Sequence, residues 1–453
     1  MISIVNAQIV NEGETFRGSL KIDGTVIAEV AREGCPFEPE GEVIDAQGRY
    51  VIPGVIDEHV HFRDPGLTQK ADMLTESRAA AAGGVTSFFD MPNTKPQTTG
   101  LAELSAKMAL GAEKSLVNYA FYIGATNDNL QALEQVDARA VPGIKVFMGA
   151  STGNMLVEDA QTLDAVFSLA RKRSLPVVTH CEDTAQIVRN EAQVRATVGE
   201  DAGVEYHPII RNAKECLDST RKALQLASRS GAKLLVAHVS TGEEMDEIAH
   251  SGHHNVRAEV CVSYLCFNDG DYHAMGGRIK CNPAIKTAAD QAQLTAALSD
   301  CRAFTVATDH APHLLSDKSG GVFKAASGMP SVQFSLPLML QLVERGALGI
   351  SRVVELMCHN PARFFGVRQR GFIRRGYKAD LVMLDRLAEP YTVSDADVVS
   401  KCGWTPYAGQ RLNWRVCATM CNGTVVYRHG DGFTAPKYRG EAIEFNHDDN
   451  AAI

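Results

Sequence analysis

Histidines and an aspartate of this chain stand where apolar runs end, and one lysine stands inside such a run. Asp57-Glu58-His59-Val60-His61-Phe62-Arg63 follows the run 51–56, and His180-Cys181-Glu182-Asp183 follows 176–179. His238 follows 233–237, and Thr308-Asp309-His310-Ala311-Pro312-His313 follows 303–307. In an extended strand residues i and i+2 point to one side, so His59 and His61 converge. A lone pair of same-side histidines is weak evidence, because polar strand ends collect them by chance. Four separate strand ends carrying imidazole or carboxylate make a stronger case, since that donor set suits zinc and similar divalent ions.

Lys145 lies inside the apolar run 144–148, in Gly143-Ile144-Lys145-Val146-Phe147-Met148-Gly149. Burial favours the neutral amine of a lysine. A neutral amine can add carbon dioxide to form a carbamate, which turns a cation into a bidentate anion able to bridge two metals. A lysine whose stem is buried and whose head reaches water is the plainer reading. With the histidines nearby, the carbamate is favoured.

Elements must bring these residues together. Eight apolar runs, 51–56, 85–91, 119–123, 144–148, 176–179, 233–237, 256–260 and 303–307, alternate with stretches of helical period such as 70–82, 158–173, 213–230 and 291–299. Near-continuous apolar strands are what sheets covered on both faces require. Eight of them alternating with helices match a (β/α)8 barrel, whose catalytic groups sit at the strands' C-terminal ends. The first fifty residues read as short strands at 2–5, 18–22 and 26–30 with Asn and Gly punctuation. Helices are expected near 332–343 and 353–357, then strands return at 379–384, 414–420 and 424–427. The expected organisation is a barrel over 53–372, a small β-sandwich domain from residues 1–52 and 373–440, and a weakly ordered tail, 441–453.

Hydrophobic residues at 45% and charged residues at 22% allow a sizeable buried core. The net charge of −9, without a long block of one sign, argues against nucleic acid as a partner. No secretory signal and no apolar run of roughly 18 residues is present, so no membrane association is expected. The 11 cysteines form no CxxC pair, which argues for free thiols and a reducing compartment, the cytoplasm.

Together these pieces resemble the amidohydrolase superfamily over nearly the whole length. The likeness includes Val51-Ile52-Pro53-Gly54, the HxH pair, the Lys145 segment, Asn360-Pro361-Ala362-Arg363 and Ala379-Asp380-Leu381-Val382. The resemblance implies two divalent metal ions, usually zinc. His59, His61, Lys145 and Asp309 would hold the first, and carboxylated Lys145, His180 and His238 the second. Within the superfamily the chain is most similar to the dihydroorotases. That likeness implies substrate contacts at His61, Arg63, Asn93 (in Met91-Pro92-Asn93-Thr94), Asn282 (in Cys281-Asn282-Pro283-Ala284), His313 and the backbone of Gly328. Guanidinium forks suit carboxylates, the role implied for Arg63.

The implied reaction is reversible hydrolysis of dihydroorotate to N-carbamoyl-L-aspartate in pyrimidine synthesis, by a hydroxide bridging two metals. Asp309 is the implied catalytic acid–base. A homo-oligomer, dimer or tetramer, is the expected assembly. Two departures stand out: Val262-Ser263-Tyr264-Leu265 replaces a Pro-His-His motif of many bacterial members, and some relatives carry Asp in place of Lys145. The alternatives are a dihydropyrimidinase (hydantoinase), an allantoinase, or a non-catalytic scaffold of the same shape.

Overall fold

The apolar runs become parallel strands, with their ends shifted by one to a few residues. The computed structural model describes residues 1–149 and 155–448. One parallel sheet contains, in pairing order, Thr305–Ala307, Val256–Cys261, Leu234–Val236, Val177–His180, Ile144–Phe147 and Ile123–Gly124. A second contains Val55–Val60, Val85–Asp90 and Asn118–Phe121. Two seams join them. Only Tyr122 separates Asn118–Phe121 from Ile123–Gly124, and Val60 makes a parallel bridge with His310, where His61 N donates to His310 O at 2.7 Å. The architecture is α/β, with parallel strands alternating with helices.

Local chemistry sets the helices. Ala160–Lys172 starts at Asp159, whose carboxylate accepts from Thr162 N, and buries Leu163, Val166, Phe167 and Ala170 at helical spacing. Ala213–Ser230 starts at Asn212 and stops at Gly231, whose φ of 69° suits glycine. Ala288–Ser299 begins three residues before the expected 291 because Thr287 and Asp290 cap one another. The helix expected at 353–357 is instead Ile350–Val354 followed by a wide turn, Glu355–His359.

The run 51–56 divides. Tyr50–Pro53 belongs to an eight-stranded outer sheet, whereas Val55–Val60 is one of the parallel strands. Gly54 is the pivot between them: a Cβ there would stand 2.0 Å from Thr86 Oγ1. The outer sheet joins both ends of the chain. Its central strand Tyr50–Pro53 pairs on one side with Ile2–Asn11 and on the other with Leu381–Thr392.

Residues 441–448 depart from the weakly ordered tail expected there. Ala442 bridges Tyr119, Phe445 bridges Val367, and Ile443 and Phe445 are buried. Their i, i+2 spacing puts both side chains on one face. They join Ile56, Phe89, Val178, Leu235 and Phe365 in one apolar cluster among the parallel strands. The remainder of that segment, 449–453, lies outside the described residues. Among the described residues, no helix is long and apolar enough to cross a membrane.

Candidate active site

One cavity of about 870 Å³ is lined by all eleven residues singled out above: His59, His61, Arg63, Asn93, Lys145, His180, His238, Asn282, Asp309, His313 and Gly328. Strand ends deliver them. His59 is the penultimate residue of its strand and His180 the last of its own, and His238 and Asp309 follow theirs by two residues. Arg63, His238 and Asp309 hold left-handed backbone, with φ of 66°, 41° and 47°. Non-glycine residues held there cost of order 1–3 kcal/mol each and gather at functional sites.

The back nitrogens of three imidazoles are tied to acceptors. His59 Nδ1 is 2.8 Å from Glu259 Oε1, His61 Nδ1 is 2.7 Å from Asn93 Oδ1, and His180 Nε2 is 2.7 Å from Glu182 Oε2. An acceptor at one ring nitrogen fixes the proton there and leaves a lone pair on the other. Those free nitrogens converge. His61 Nε2 and His59 Nε2 face Asp309 Oδ1 at 3.0 and 3.5 Å, and His180 Nδ1 faces His238 Nε2 at 3.0 Å. Donor atoms of His59, His61 and Asp309 lie within 4.8 Å of one another.

Burial lowers the His61 and His180 pKa values, and it takes His238 well below the ordinary range, so the rings stay neutral. Burial alone would raise Asp309. The neighbouring His61 and His59 rings and the Lys145 amine outweigh it and hold the carboxyl below its usual value. The Lys145 amine is fully buried without a hydrogen-bond partner, and burial brings its pKa down to about 8. Neutral imidazoles with converging lone pairs, a carboxylate and an orphaned buried amine fit a divalent-cation centre.

Opposite this cluster, Arg63 Nε donates to Pro312 O at 3.1 Å, and its Nη2 lies 3.1 Å from His313 Nε2. The guanidinium is buried and forms no ion pair among the described residues. Asn93 spends its oxygen on His61, leaving its amide nitrogen as the group able to donate to a ligand. Asn282 Oδ1 lies 3.2 Å from His207 Nε2. Gly328 has φ of 125°, and a Cβ there would meet Ala311 O at 2.6 Å. Its N–H donates to Lys280 O at 2.8 Å and its carbonyl accepts from Lys318 Nζ at 2.6 Å, so both backbone groups are already engaged.

Several functional-looking residues carry little mark in the sequence. Glu259 orients His59 and also accepts from His238 N at 2.9 Å. It is a charge inside the apolar run 256–260, the same signal that singles out Lys145. Glu182, two residues after His180, is held in turn by Arg211. Lys70, Lys95 and Arg211 line the cavity as well. A second group of ligand-type atoms, Glu182, Glu215 and Cys216, is buried near His180 and faces the charges of Arg211 and Lys286. His310 turns away: Nε2 meets Glu76 Oε2 at 2.8 Å, and Nδ1 accepts from Ser331 N at 3.0 Å.

Parallel strands with imidazoles, a carboxylate and a buried lysine at their ends define a metal-dependent hydrolase site, and the chain belongs to the amidohydrolase family, whose model matches residues 50–426. Among its relatives, a dihydroorotase of Halobacterium salinarum is 32% identical over 406 residues, 89% of this chain and 92% of that protein. An allantoinase of Deinococcus radiodurans is 32% identical over 438 residues, 94% of this chain and 95% of its own length. The solved L-hydantoinase (dihydropyrimidinase) of Arthrobacter aurescens superposes with a TM-score of 0.91 at 27% identity, covering 98% of this chain and 99% of that one.

Proposed function

We propose that this chain is a dihydroorotase, interconverting dihydroorotate and N-carbamoyl-L-aspartate. The observation that carries the reading is the buried, unpaired guanidinium of Arg63 in the cavity that also holds the metal-ligand cluster. A buried cation without a counter-ion is costly. A ring with an exocyclic carboxylate supplies that partner, whereas dihydrouracil, hydantoin and allantoin do not. Relatives named dihydroorotase at 30–34% identity support the same choice.

His59, His61, Lys145, His180, His238 and Asp309 would hold two divalent ions, zinc by this donor set, with Lys145 as the carbamate between them. Such ions, when bound, lower the pKa of water and polarise the scissile carbonyl. The chain's own residues do the rest. Asp309 takes the proton of the attacking water and returns it to the departing ring nitrogen, and in ring closure it runs the same transfers in reverse. Arg63 and the Asn93 amide hold the exocyclic carboxylate, while Asn282, His313 and Gly328 contact the ring. That hold keeps the reacting carbon in place. Glu259, Glu182 and Asn93 keep the imidazole lone pairs turned inward.

The two parallel sheets read as arcs of one closed (β/α)8 barrel over 53–372, with 1–52 and 373–440 as the composite β-sandwich domain. The eleven free cysteines support a cytoplasmic location. The expected assembly is a dimer or tetramer, with neither nucleic acid nor membrane as a partner.

Purified protein assayed for metal content and for turnover of dihydroorotate, dihydrouracil and allantoin tests the reading. About two divalent ions per chain and a clear preference for dihydroorotate are expected. A preference for allantoin or dihydrouracil would overturn the assignment.

A further inference from the structure

His313 stands between two cations. Its Nε2 lies 3.1 Å from Arg63 Nη2, and its Nδ1 lies 3.1 Å from Lys70 Nζ. Guanidinium and ammonium groups only donate, and a neutral imidazole has one lone pair and one N–H. One of the two contacts therefore sets donor against donor. Protonating His313 would make both contacts so, and burial together with the charges of Arg63 and Lys70 keeps the ring neutral. Asp317 Oδ2, 3.9 Å from His313 Nδ1, lies beyond hydrogen-bonding reach.

The two cations share one folded loop. Leu67 N donates to Arg63 O, and Lys70 N donates to Leu67 O, each at 3.0 Å. At Gly66 a Cβ would stand 1.9 Å from Lys95 O, so the loop is seated tightly on the segment that brings in Lys95. Arg63, Lys70 and Lys95 thus line the same side of the cavity, and the nearest mismatch in hydrogen bonding lies between the first two. An anion placed there would give both cations an acceptor.

We propose that Lys70 is a further substrate-binding residue: its ammonium leaves His313 and pairs, alongside Arg63, with the ring's exocyclic carboxylate. This rests on the dihydroorotase reading. His313 then accepts from Arg63 through Nε2 and has its Nδ1–H free to donate to the bound ring. The half-buried lysine stem is long and flexible, so the switch needs only side-chain rotation.

The test compares wild type, Lys70→Met and Lys70→Arg as metal-loaded proteins, reading kcat and KM for dihydroorotate and the inhibition constant of orotate, a flat unreactive ring bearing the same carboxylate. Lys70→Met should raise KM and the orotate constant together by about ten- to a hundredfold, with kcat changed far less. Lys70→Arg should recover most of the loss. Metal content and melting temperature identify a variant that fails to fold, in which case Lys70→Gln carries the comparison. Unchanged KM and orotate binding, or a fall confined to kcat that arginine does not rescue, would overturn the role of Lys70. A metal-loaded wild type that does not turn over dihydroorotate would instead overturn the reading beneath it.

Discussion

Replacing Glu259 by glutamine probes how the metal ligands are aimed. Glu259 Oε1 accepts from His59 Nδ1 at 2.8 Å and from His238 N at 2.9 Å, so one oxygen orients two of the proposed ligands. Hydrogen bonds to a charged acceptor contribute roughly 1.5–3 kcal/mol, against about 0.5–1.5 for a neutral one. An amide oxygen in the same place keeps the geometry and loses the difference. About 2 kcal/mol over both contacts corresponds to about thirtyfold in metal affinity, within the ten- to hundredfold typical of partners behind metal ligands. Stability should move the other way. Glu58 is buried, and its carboxyl is held well above its ordinary value by burial and then by the charge of Glu259. Neutralising Glu259 takes a charge from beside Glu58 and exchanges a buried, unpartnered carboxylate oxygen for an uncharged amide nitrogen, which costs less to bury. Competition with a coloured chelator would measure metal affinity, and thermal unfolding of the metal-free protein would measure stability. Glu259→Gln should bind metal about thirtyfold more weakly while its metal-free form melts no lower than wild type. Unchanged affinity, or a drop in metal-free stability equal to the affinity loss, would refute the orienting role.

Lys145→Ala should lose one or both metals and nearly all activity with the fold intact, read by elemental analysis and circular dichroism; full activity would remove the lysine from the centre. Arg63→Met should lower kcat/KM for dihydroorotate by on the order of thirty- to several-thousandfold, the cost of about 2–5 kcal/mol for an unpaired charge, and should barely affect dihydrouracil. Equal losses on both rings would make Arg63 structural. Asp309→Asn, refilled with metal to wild-type occupancy, should remain roughly 10²–10⁴-fold slower because an amide cannot accept the proton. Near wild-type turnover at full occupancy would confine Asp309 to metal binding.

Much of this arrangement was legible in the sequence because strand ends and chemistry coincide. His59, His61, His180, His238 and Asp309 each follow an apolar run, and strand periodicity puts His59 and His61 on one side. His238 and Asp309, two residues past their strands, are aimed by left-handed backbone that the sequence does not display. Boundaries were less legible. The run 51–56 reads as one strand, yet its two halves pair with different strands, Tyr50–Pro53 with Leu381–Thr392 and Val55–Val60 with Val85–Asp90, partners far away in the chain. The same limit hid the packing of Ile443 and Phe445: two apolar residues in a polar segment have no visible partner until Phe89 and Phe365 are brought beside them. Glu182 and Glu259 were overlooked for another reason. A carboxylate that orients a ligand looks like any other until the ring nitrogen it holds is located. Lys70 shows nothing by spacing, since its significance lies in which nitrogen of His313 it faces.

The strand Tyr50–Pro53 also bears on the order of synthesis. One of its edges can pair with Ile2–Asn11 soon after both leave the ribosome, but the other waits for Leu381–Thr392. All the parallel strands, Val55–Val60 through Thr305–Ala307, emerge during that interval. A growing chain therefore carries an open apolar sheet edge for most of its translation, a template for pairing with a neighbouring chain. Release of that hazard comes late, when Leu381 is laid against Pro53 and Gly54 N finds Asp380 O. A ribosome stalled between Asp309 and Leu381 would leave a nascent chain with its proposed metal ligands made and its adhesive edge still uncovered.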